Sequence, residues 1–284
     1  MILVQLKGGL GNQMFQYAAG RSLAAKYQVP LLLDPESYES RQKGMYGLNG
    51  LNIQAGIATP ADLAAFKQGT VGKVLNRVLP TPYRRVYKER HYEFDALLFQ
   101  AQPPVYLKGY WQSWRYFEPV QETILSDFTF SIPFSPNILN KAAELQATES
   151  IAMHFRRGDY TDAATAAYHG ICEPAYYDAA ARYMLTRHPH AKFYIFTNDP
   201  AWVKDNLPSG ITYEIVSGDL SHTQYEDLFL MSHCRHQIIA NSSFSWWAAW
   251  LNTYKEKRVV APAKWFAVAD VDAKDLVPAS WHRI

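Results

Sequence analysis

Short apolar runs alternate with longer amphipathic stretches along almost all of this chain, a rhythm that restricts it to folds in which buried strands are joined by helices. MILVQL reads as a first strand, NQMFQYAAGRSLAAKY as a helix and VPLLLD as a second strand, a βαβ opening. From about Tyr38 to Tyr110 the rhythm weakens among scattered Pro, Gly and aromatic residues, until VYLKGY closes this half as a strand followed by a helical RYFEPVQETIL. In DFTFSIPFSP two prolines and two serines interrupt any period, as an interdomain connection does. Beyond it SIAMHF, KFYIFT, ITYEIV and HQIIA predict strands, and EPAYYDAAARYMLTR, PAWVKDNL, QYEDLFLMSHC and SWWAAWLNTY predict helices. A chain of 284 residues exceeds the usual size of one hydrophobic core. The expected fold is therefore α/β, with two Rossmann-like domains, residues 1–130 and 131–284, facing a cleft.

Composition supports a globular protein, with 48% hydrophobic and 19% charged residues. A net charge of +2 is too small to imply nucleic acid. Cys172 and Cys234 have no CxxC and no histidine cluster beside them, which argues against structural zinc and a disulfide framework and fits a reducing compartment. The apolar MILVQL meets a lysine and two glycines too soon for a signal-peptide core, and no other apolar run approaches the roughly 20 residues of a membrane helix. A soluble, cytoplasmic protein is expected.

In open α/β sheets ligands bind beyond the carboxyl ends of strands, so the strand-to-helix junctions are the places to seek function. In KGGLGNQ, Lys7 to Gln13, glycines including Gly9 and Gly11 let backbone approach a ligand, and Asn12 and Gln13 add polar side chains at a helix start. The spacing fits neither G-x-G-x-x-G nor a GK[ST] phosphate loop, and a tight βα turn is the plain alternative. In IAMHFRRGDY, strand alternation projects His154 and Arg156 from one face and Phe155 from the other, while Gly158 permits a turn that brings Asp159 back toward Arg156 and Arg157. An arginine there can grip a diphosphate in a fixed fork; the alternative is an Arg–Asp structural clamp. In IIANSSFSWWAAWL, the loop Asn241, Ser242, Ser243, Phe244 and Ser245 offers hydroxyls and helix-start amides to an anion, whereas Trp246, Trp247 and Trp250 read as core. Two anion-seeking loops in one half and a glycine loop in the other suit a sugar nucleotide.

GGLGNQMFQYA, HFRRGDY and NSSFSWW, in this order, resemble the bacterial α-1,2-fucosyltransferases that use GDP-fucose, and the likeness covers nearly the whole chain except roughly residues 40–105. The resemblance implies an inverting glycosyltransferase of the GT-B type that needs no metal or other cofactor. GDP-fucose would be held by the second domain and an acceptor by the first. Fucose would pass to the 2-hydroxyl of a terminal β-galactoside, as in the building of an O-antigen or another oligosaccharide. Carried over residue by residue, Arg156 holds the β-phosphate, with Arg157 beside it and His154 on the nucleotide side. By looser likeness to other fucosyltransferases with the His-x-Arg-Arg element, Asp227 in YEDLFLMS would read the guanine amino group; Asp199 in FTNDP sits at another strand end, where it would touch the nucleotide. A fixed guanidinium would stabilise the charge that develops on departing GDP, the task a magnesium ion performs elsewhere.

A general base is not singled out. Asp159, His169 in YHGICEP and Glu173 are candidates, and Asp159 is carried forward although pairing with arginine would weaken it as a base. DVD, Asp270 to Asp272, looks like a metal-binding DxD but follows no strand and reads as solvated surface. Residues 67–115 carry nine Lys or Arg against three Asp or Glu, interleaved with aromatic residues. That stretch is either a solvated face or a surface that meets anionic lipid, at the inner face of the plasma membrane, or a lipid-linked acceptor. Two other functions stay open: a fucosyltransferase of another linkage, such as α-1,6, and a module that binds a nucleotide sugar without transferring it.

Overall fold

The computed structural model describes residues 1–35, 46–157, 167–268 and 271–284. The chain divides into two α/β units, Met1–Ile132 with Lys274–Leu276, and Pro133–Ala273 with Val277–Ile284. Asp275 gives the returning segment its place in the first unit. Its carboxylate accepts from the Phe94 N–H and the Arg115 guanidinium, both at 3.1 Å, and its carbonyl accepts from the Ser113 hydroxyl at 3.0 Å.

The first unit holds strands β1 (Ile2–Gln5), β2 (Leu31–Asp34), β3 (Gly56–Ile57), β4 (Val86–Lys88) and β5 (Val105–Lys108), all parallel, in the order β3-β2-β1-β5-β4. The second holds β6 (Ser150–Phe155), β7 (Lys192–Thr197), β8 (Thr212–Ile215), β9 (His236–Ile238), β10 (Val259–Ala261) and β11 (His282–Arg283), also parallel, in the order β11-β10-β9-β6-β7-β8. Central parallel strands are covered on both faces, which is why MILVQL and SIAMHF read as continuous apolar runs. Every residue of β6 is buried, and Ile151, Met153 and Phe155 join one core cluster with Phe193, Ile195 and Tyr177.

The two sheets share a topological device. In the first, the chain winds outward from β1 through β2 to β3, then returns to the other side of β1 with β4 and β5; in the second it winds from β6 through β7 to β8, then returns with β9 beside β6. A crevice at the carboxyl ends of the strands is therefore expected between β1 and β5 and between β6 and β9.

Most expected elements are present, with instructive differences. RYFEPVQETIL is an α-helix only over Gln121–Asp127; Trp114–Tyr116 and Glu118–Val120 are short 3-10 turns, because Pro119 has no N–H to continue a helical ladder. The strands missed by alternation, β3, β4, β10 and β11, are two or three residues long, too short to display a period. The helix Pro136–Ala147 is an addition to the elements that the apolar rhythm predicts; Ser135 caps it by accepting from the Ile138 N–H at 3.4 Å, and Pro136 opens it. Cys172 and Cys234 are free and buried. Among the described residues no helix is long and apolar enough to cross a membrane.

The helix Leu10–Tyr27 lies against β1 and β2 so closely that a Cβ on Gly20 would stand 2.4 Å from Cγ2 of Val4 and 3.0 Å from Cδ1 of Leu31. Val4 is buried and β-branched and has no room to give way. Helix propensity alone favours Gly20→Ala by about 1 kcal/mol, whereas overpacking of this kind costs about 1–3 kcal/mol. Gly20→Ala is expected to lower the melting temperature, and an unchanged or raised one would show that helix and sheet can separate without cost.

Candidate functional site

The candidates of the second unit lie at the carboxyl edge of four adjacent strands. β6 runs directly into Arg156 and Arg157, β7 into Asn198 and Asp199, β8 toward Ser217, and β9 toward Asn241 and the helix Ser243–Leu251. The register of β6 on β9, Ile151 with His236 and Met153 with Ile238, sets the two strand ends side by side. His154 and Phe244 consequently meet across the switch point, with ring centroids 5.9 Å apart.

His154 is 5% exposed, and burial together with the Arg156 charge pushes its pKa down to about 3. The imidazole is neutral at any working pH. Its Nδ1 is buried with no hydrogen-bond partner among the described residues, the condition of a polar group placed to meet a ligand. Arg156, half-buried two residues further on, brings a permanent charge to the same edge. Arg157 is held differently. Its N–H donates to Oδ1 of Asn198 at 2.9 Å, and its guanidinium lies 3.9 Å from the centre of the Trp202 ring on the helix Pro200–Asn206.

The loop after β9 divides into supports and exposed positions. Asn241 is buried, and its amide donates to the carbonyls of His169 at 2.8 Å, Gly170 at 3.2 Å and Trp265 at 3.2 Å. It ties three segments together. Ser242 stands at the N-cap without a side-chain capping bond, and the buried Ser245 hydroxyl donates to the Ser242 carbonyl at 3.3 Å. Ser243 and Phe244 are half-buried and are the members of the loop that reach the surface. The tryptophans Trp246 and Trp247 are fully buried, as expected of core.

Two acidic candidates also have structural work. Asp199 caps its helix, accepting from the Trp202 N–H at 3.1 Å. Asp227 accepts from the hydroxyls of Ser217, at 2.9 Å, and Ser221, and the Ser217 oxygen accepts from the Thr197 N–H at 3.0 Å. The ends of β7 and β8 are thereby joined to the helix Gln224–His233. A carboxylate has about four acceptor positions, so two hydroxyls leave capacity for another donor. Neither serine was singled out in the sequence, where hydroxyls in SGDLSH carry no distinctive spacing.

The remaining candidates belong to the first unit. Gly8 takes φ +79°, where a Cβ would stand 2.4 Å from Nδ2 of Asn12, and Gly9 opens the helix Leu10–Tyr27 in a region where an added Cβ would meet nothing within 4 Å. Gly11 is buried within that helix. Gln13 is wholly buried; its amide donates to the Gly8 carbonyl at 3.1 Å, and its oxygen accepts from the Gly47 N–H at 2.8 Å. Asn12 accepts from the Gln112 amide at 2.7 Å, across the switch point between β1 and β5. Gln112 and Glu89 were missed. Glu89 accepts from the N–H groups of Tyr110 at 2.6 Å and Trp111 at 2.8 Å and holds Trp111 at φ +57°, immediately before Gln112. The positive φ of Trp111 is a property of the backbone that residue type does not announce.

Asp159 and Asp270 lie outside the described residues. Of the other base candidates, His169 contacts the Tyr168 and Phe266 rings, and Glu173 precedes the helix Pro174–Leu185. Asp272 is exposed. Among the described residues no group of three His, Cys, Asp or Glu side chains could hold a metal ion.

Two α/β units, each built on a parallel sheet, have the architecture of the GT-B class of fold. POFUT1 in complex with GDP shares the fold at a TM-score of 0.50, with 11% identity over 90% of this chain and 95% of that one. The chain belongs to glycosyl transferase family 11, whose profile matches residues 74–281. It is 32% identical to the Escherichia coli α-1,2-colitosyltransferase over 100% of this chain and 99% of that one. It is 30% identical to the Escherichia coli O-antigen biosynthesis glycosyltransferase WbnK, over 92% and 94% of the two chains. Galactoside α-(1,2)-fucosyltransferase 1 of Leontopithecus chrysomelas is 27% identical over 86% of this chain and 63% of its own length. The resemblance read from the three motifs thus holds at the level of the family.

Burial pushes the Asp227 carboxyl up from 3.8 to about 6 against the opposing effect of the two serine hydroxyls. Between about pH 4 and pH 6 the folded chain retains a proton that the unfolded chain releases, so stability falls as pH rises through that window. Allowing for partial exposure, the cost above it is on the order of 2 kcal/mol. Asp227→Asn removes this titration. Its melting temperature relative to the parent is expected to rise between about pH 4 and pH 7, and parallel melting curves across that range would contradict the buried carboxylate.

Proposed function

We propose that the chain transfers L-fucose from GDP-β-L-fucose to the 2-hydroxyl of a terminal β-galactoside, forming an α-1,2 linkage with inversion and without a metal ion. The second unit would hold the donor and the first would face the acceptor. The observation that carries this reading is the position of Arg156, a permanent cation at the end of β6 beside the start of the helix Ser243–Leu251, at the switch point of a family 11 sheet. In the reaction the acceptor oxygen attacks the anomeric carbon from the face opposite the phosphate. The bond to the phosphate oxygen breaks, and its electron pair leaves on GDP. Arg156 faces that developing charge with a planar fork, and the first-turn amides of the helix add partial positive charge nearby. His154, being neutral, contributes hydrogen bonding. Asp227 retains acceptor capacity suited to the guanine amino group, and Asp159 would take the acceptor proton. The relative named as a galactoside α-(1,2)-fucosyltransferase supports the linkage, the donor sugar and the acceptor class.

One observation favours a variant of this reading. The relative that matches the entire chain at 32% identity is named an α-1,2-colitosyltransferase, and colitose is fucose without its 3-hydroxyl. The same leaving group and the same arginine serve either donor.

Transfer assays with GDP-fucose and GDP-colitose, a panel of galactosides, and EDTA throughout decide between them. The expected result is an α-1,2-linked product from GDP-fucose. Product from GDP-colitose alone would reassign the donor sugar, an α-1,6 linkage would reassign the regiochemistry, and activity that returns only with manganese or magnesium would overturn metal independence. Release of no GDP with any acceptor would leave a binding module.

Arg156→Ala is expected to lower kcat by about 100-fold or more, the loss seen when a single electrostatic donor to a transition state is removed. Arg156→Lys keeps the charge without the fork and should lose much of the same activity. Both should melt near the parent temperature. Near-normal turnover in a folded Arg156→Ala protein would remove the leaving-group role.

A further inference from the structure

The helix Thr70–Val78 in the first unit has none of its residues buried. Val71 is 82% exposed, Val74 61%, Leu75 54% and Val78 71%. Their spacing, i, i+3, i+4 and i+7, places all four on one face of the helix. Surface helices ordinarily turn such a stripe toward the core, but here the polar side is the one attached. Asn76 donates to the Val86 carbonyl at 2.8 Å and accepts from the Val86 N–H at 3.0 Å, which satisfies both main-chain groups of that residue on the outer edge of β4. It stands about 150° around the helix from the middle of the apolar stripe. The helix is anchored by its amide and presents its hydrocarbon to the outside.

The segment that carries this helix has one sign of charge. From Leu63 to Lys88 the chain has Lys67, Lys73, Arg77, Arg84, Arg85 and Lys88, and no Asp or Glu. Arg77 is exposed on the flank of the helix, about 110° from the middle of the stripe, and Lys73 is exposed about 150° from it, on the side away from the stripe. The Arg84 guanidinium folds back onto the carbonyls of Leu79 at 2.8 Å and Arg77 at 3.4 Å, which keeps its charge at the carboxyl end of the helix. Tyr83, 65% exposed, follows in the same loop, a residue type that favours the boundary between hydrocarbon and water.

We propose that this face docks the protein on an anionic lipid bilayer, with Val71, Val74, Leu75 and Val78 in the acyl boundary and the cations of the segment over the headgroups. Charge decides the occupant. An outward apolar stripe matches hydrocarbon, and the cations of its segment match negative headgroups, each adding attraction that fades within a Debye length. A second copy of the chain would bring the same cations against one another. Nucleic acid would use the cations and leave the apolar stripe wet. The helix is short, so its apolar face supplies only modest affinity and the charge is needed as well. This inference is independent of the donor and acceptor assignments.

The full chain is floated with vesicles of phosphatidylglycerol and phosphatidylethanolamine, and with vesicles of phosphatidylcholine alone, at low and high salt. Co-flotation is expected with the anionic vesicles and little with the neutral ones. Val74→Glu with Leu75→Glu should reduce binding by about 10-fold or more at either salt concentration. Lys73→Glu with Arg77→Glu should reduce it at low salt, and the difference should shrink at high salt. All four positions are exposed, so both variants should melt at the parent temperature, which separates lost docking from lost folding. Parent protein that stays unbound to anionic vesicles overturns the proposal. So does undiminished binding by the Val74→Glu, Leu75→Glu variant, or a parent dimer in solution that this variant dissociates.

Discussion

The order of strands about β6 is the constraint on which the rest of the second unit depends. β6 is hydrogen-bonded to β7 on one side and β9 on the other, and every one of its residues is buried. Charge cannot be accommodated along such a strand without a large desolvation cost. It can appear where the strand leaves the sheet, and that is where Arg156 and Arg157 stand. Because the chain reverses its winding direction between β6 and β9, the connections diverge there and leave the helix start of Ser243–Leu251 beside the arginine. Topology supplies the crevice and the sequence supplies the guanidinium; the same reversal of winding recurs between β1 and β5.

Around each switch point the polar residues separate into those that fix backbone and those left to act. Asn241 and Gln13 are buried amides that make hydrogen bonds to main chain in neighbouring segments. Glu89 plays the same part for Tyr110 and Trp111, and Asp227 for the ends of β7 and β8. Loops held in this way present their other groups in fixed positions, which an electrostatic site requires, since dipoles and charges that need not reorganise stabilise a developing charge most. His154 illustrates the low-dielectric side of the arrangement: burial and the neighbouring Arg156 charge keep it neutral, so of these two side chains only the arginine is charged.

The surface of the first unit obeys a different requirement. In the helix Thr70–Val78 the apolar period is that of an ordinary core-facing helix, and its sequence would be read so. Asn76 reverses the orientation by pairing with the edge of β4. Which face of an amphipathic helix is buried depends on what its polar side can bond to, and that partner lies ten residues away at Val86 on a strand too short to be recognised from its pattern.

The sequence by itself determined the elements with strong local signals. The strands SIAMHF and KFYIFT have the bounds read from their apolar runs, the glycine and asparagine-serine motifs occupy strand-to-helix junctions, and Arg156 and Arg157 directly follow β6. These follow from composition within a few residues, where hydrophobic period, missing Cβ atoms and the missing N–H of proline act locally. Tertiary structure alone decided which candidate polar groups are supports and which face outward, because that depends on partners far along the chain: Asn12 with Gln112, Glu89 with Trp111, Asn241 with Trp265. It also decided the return of Asp275 to the first unit, through bonds to Phe94 and Arg115. A side chain's type states which bonds it can make, but only the folded backbone brings the group that makes them.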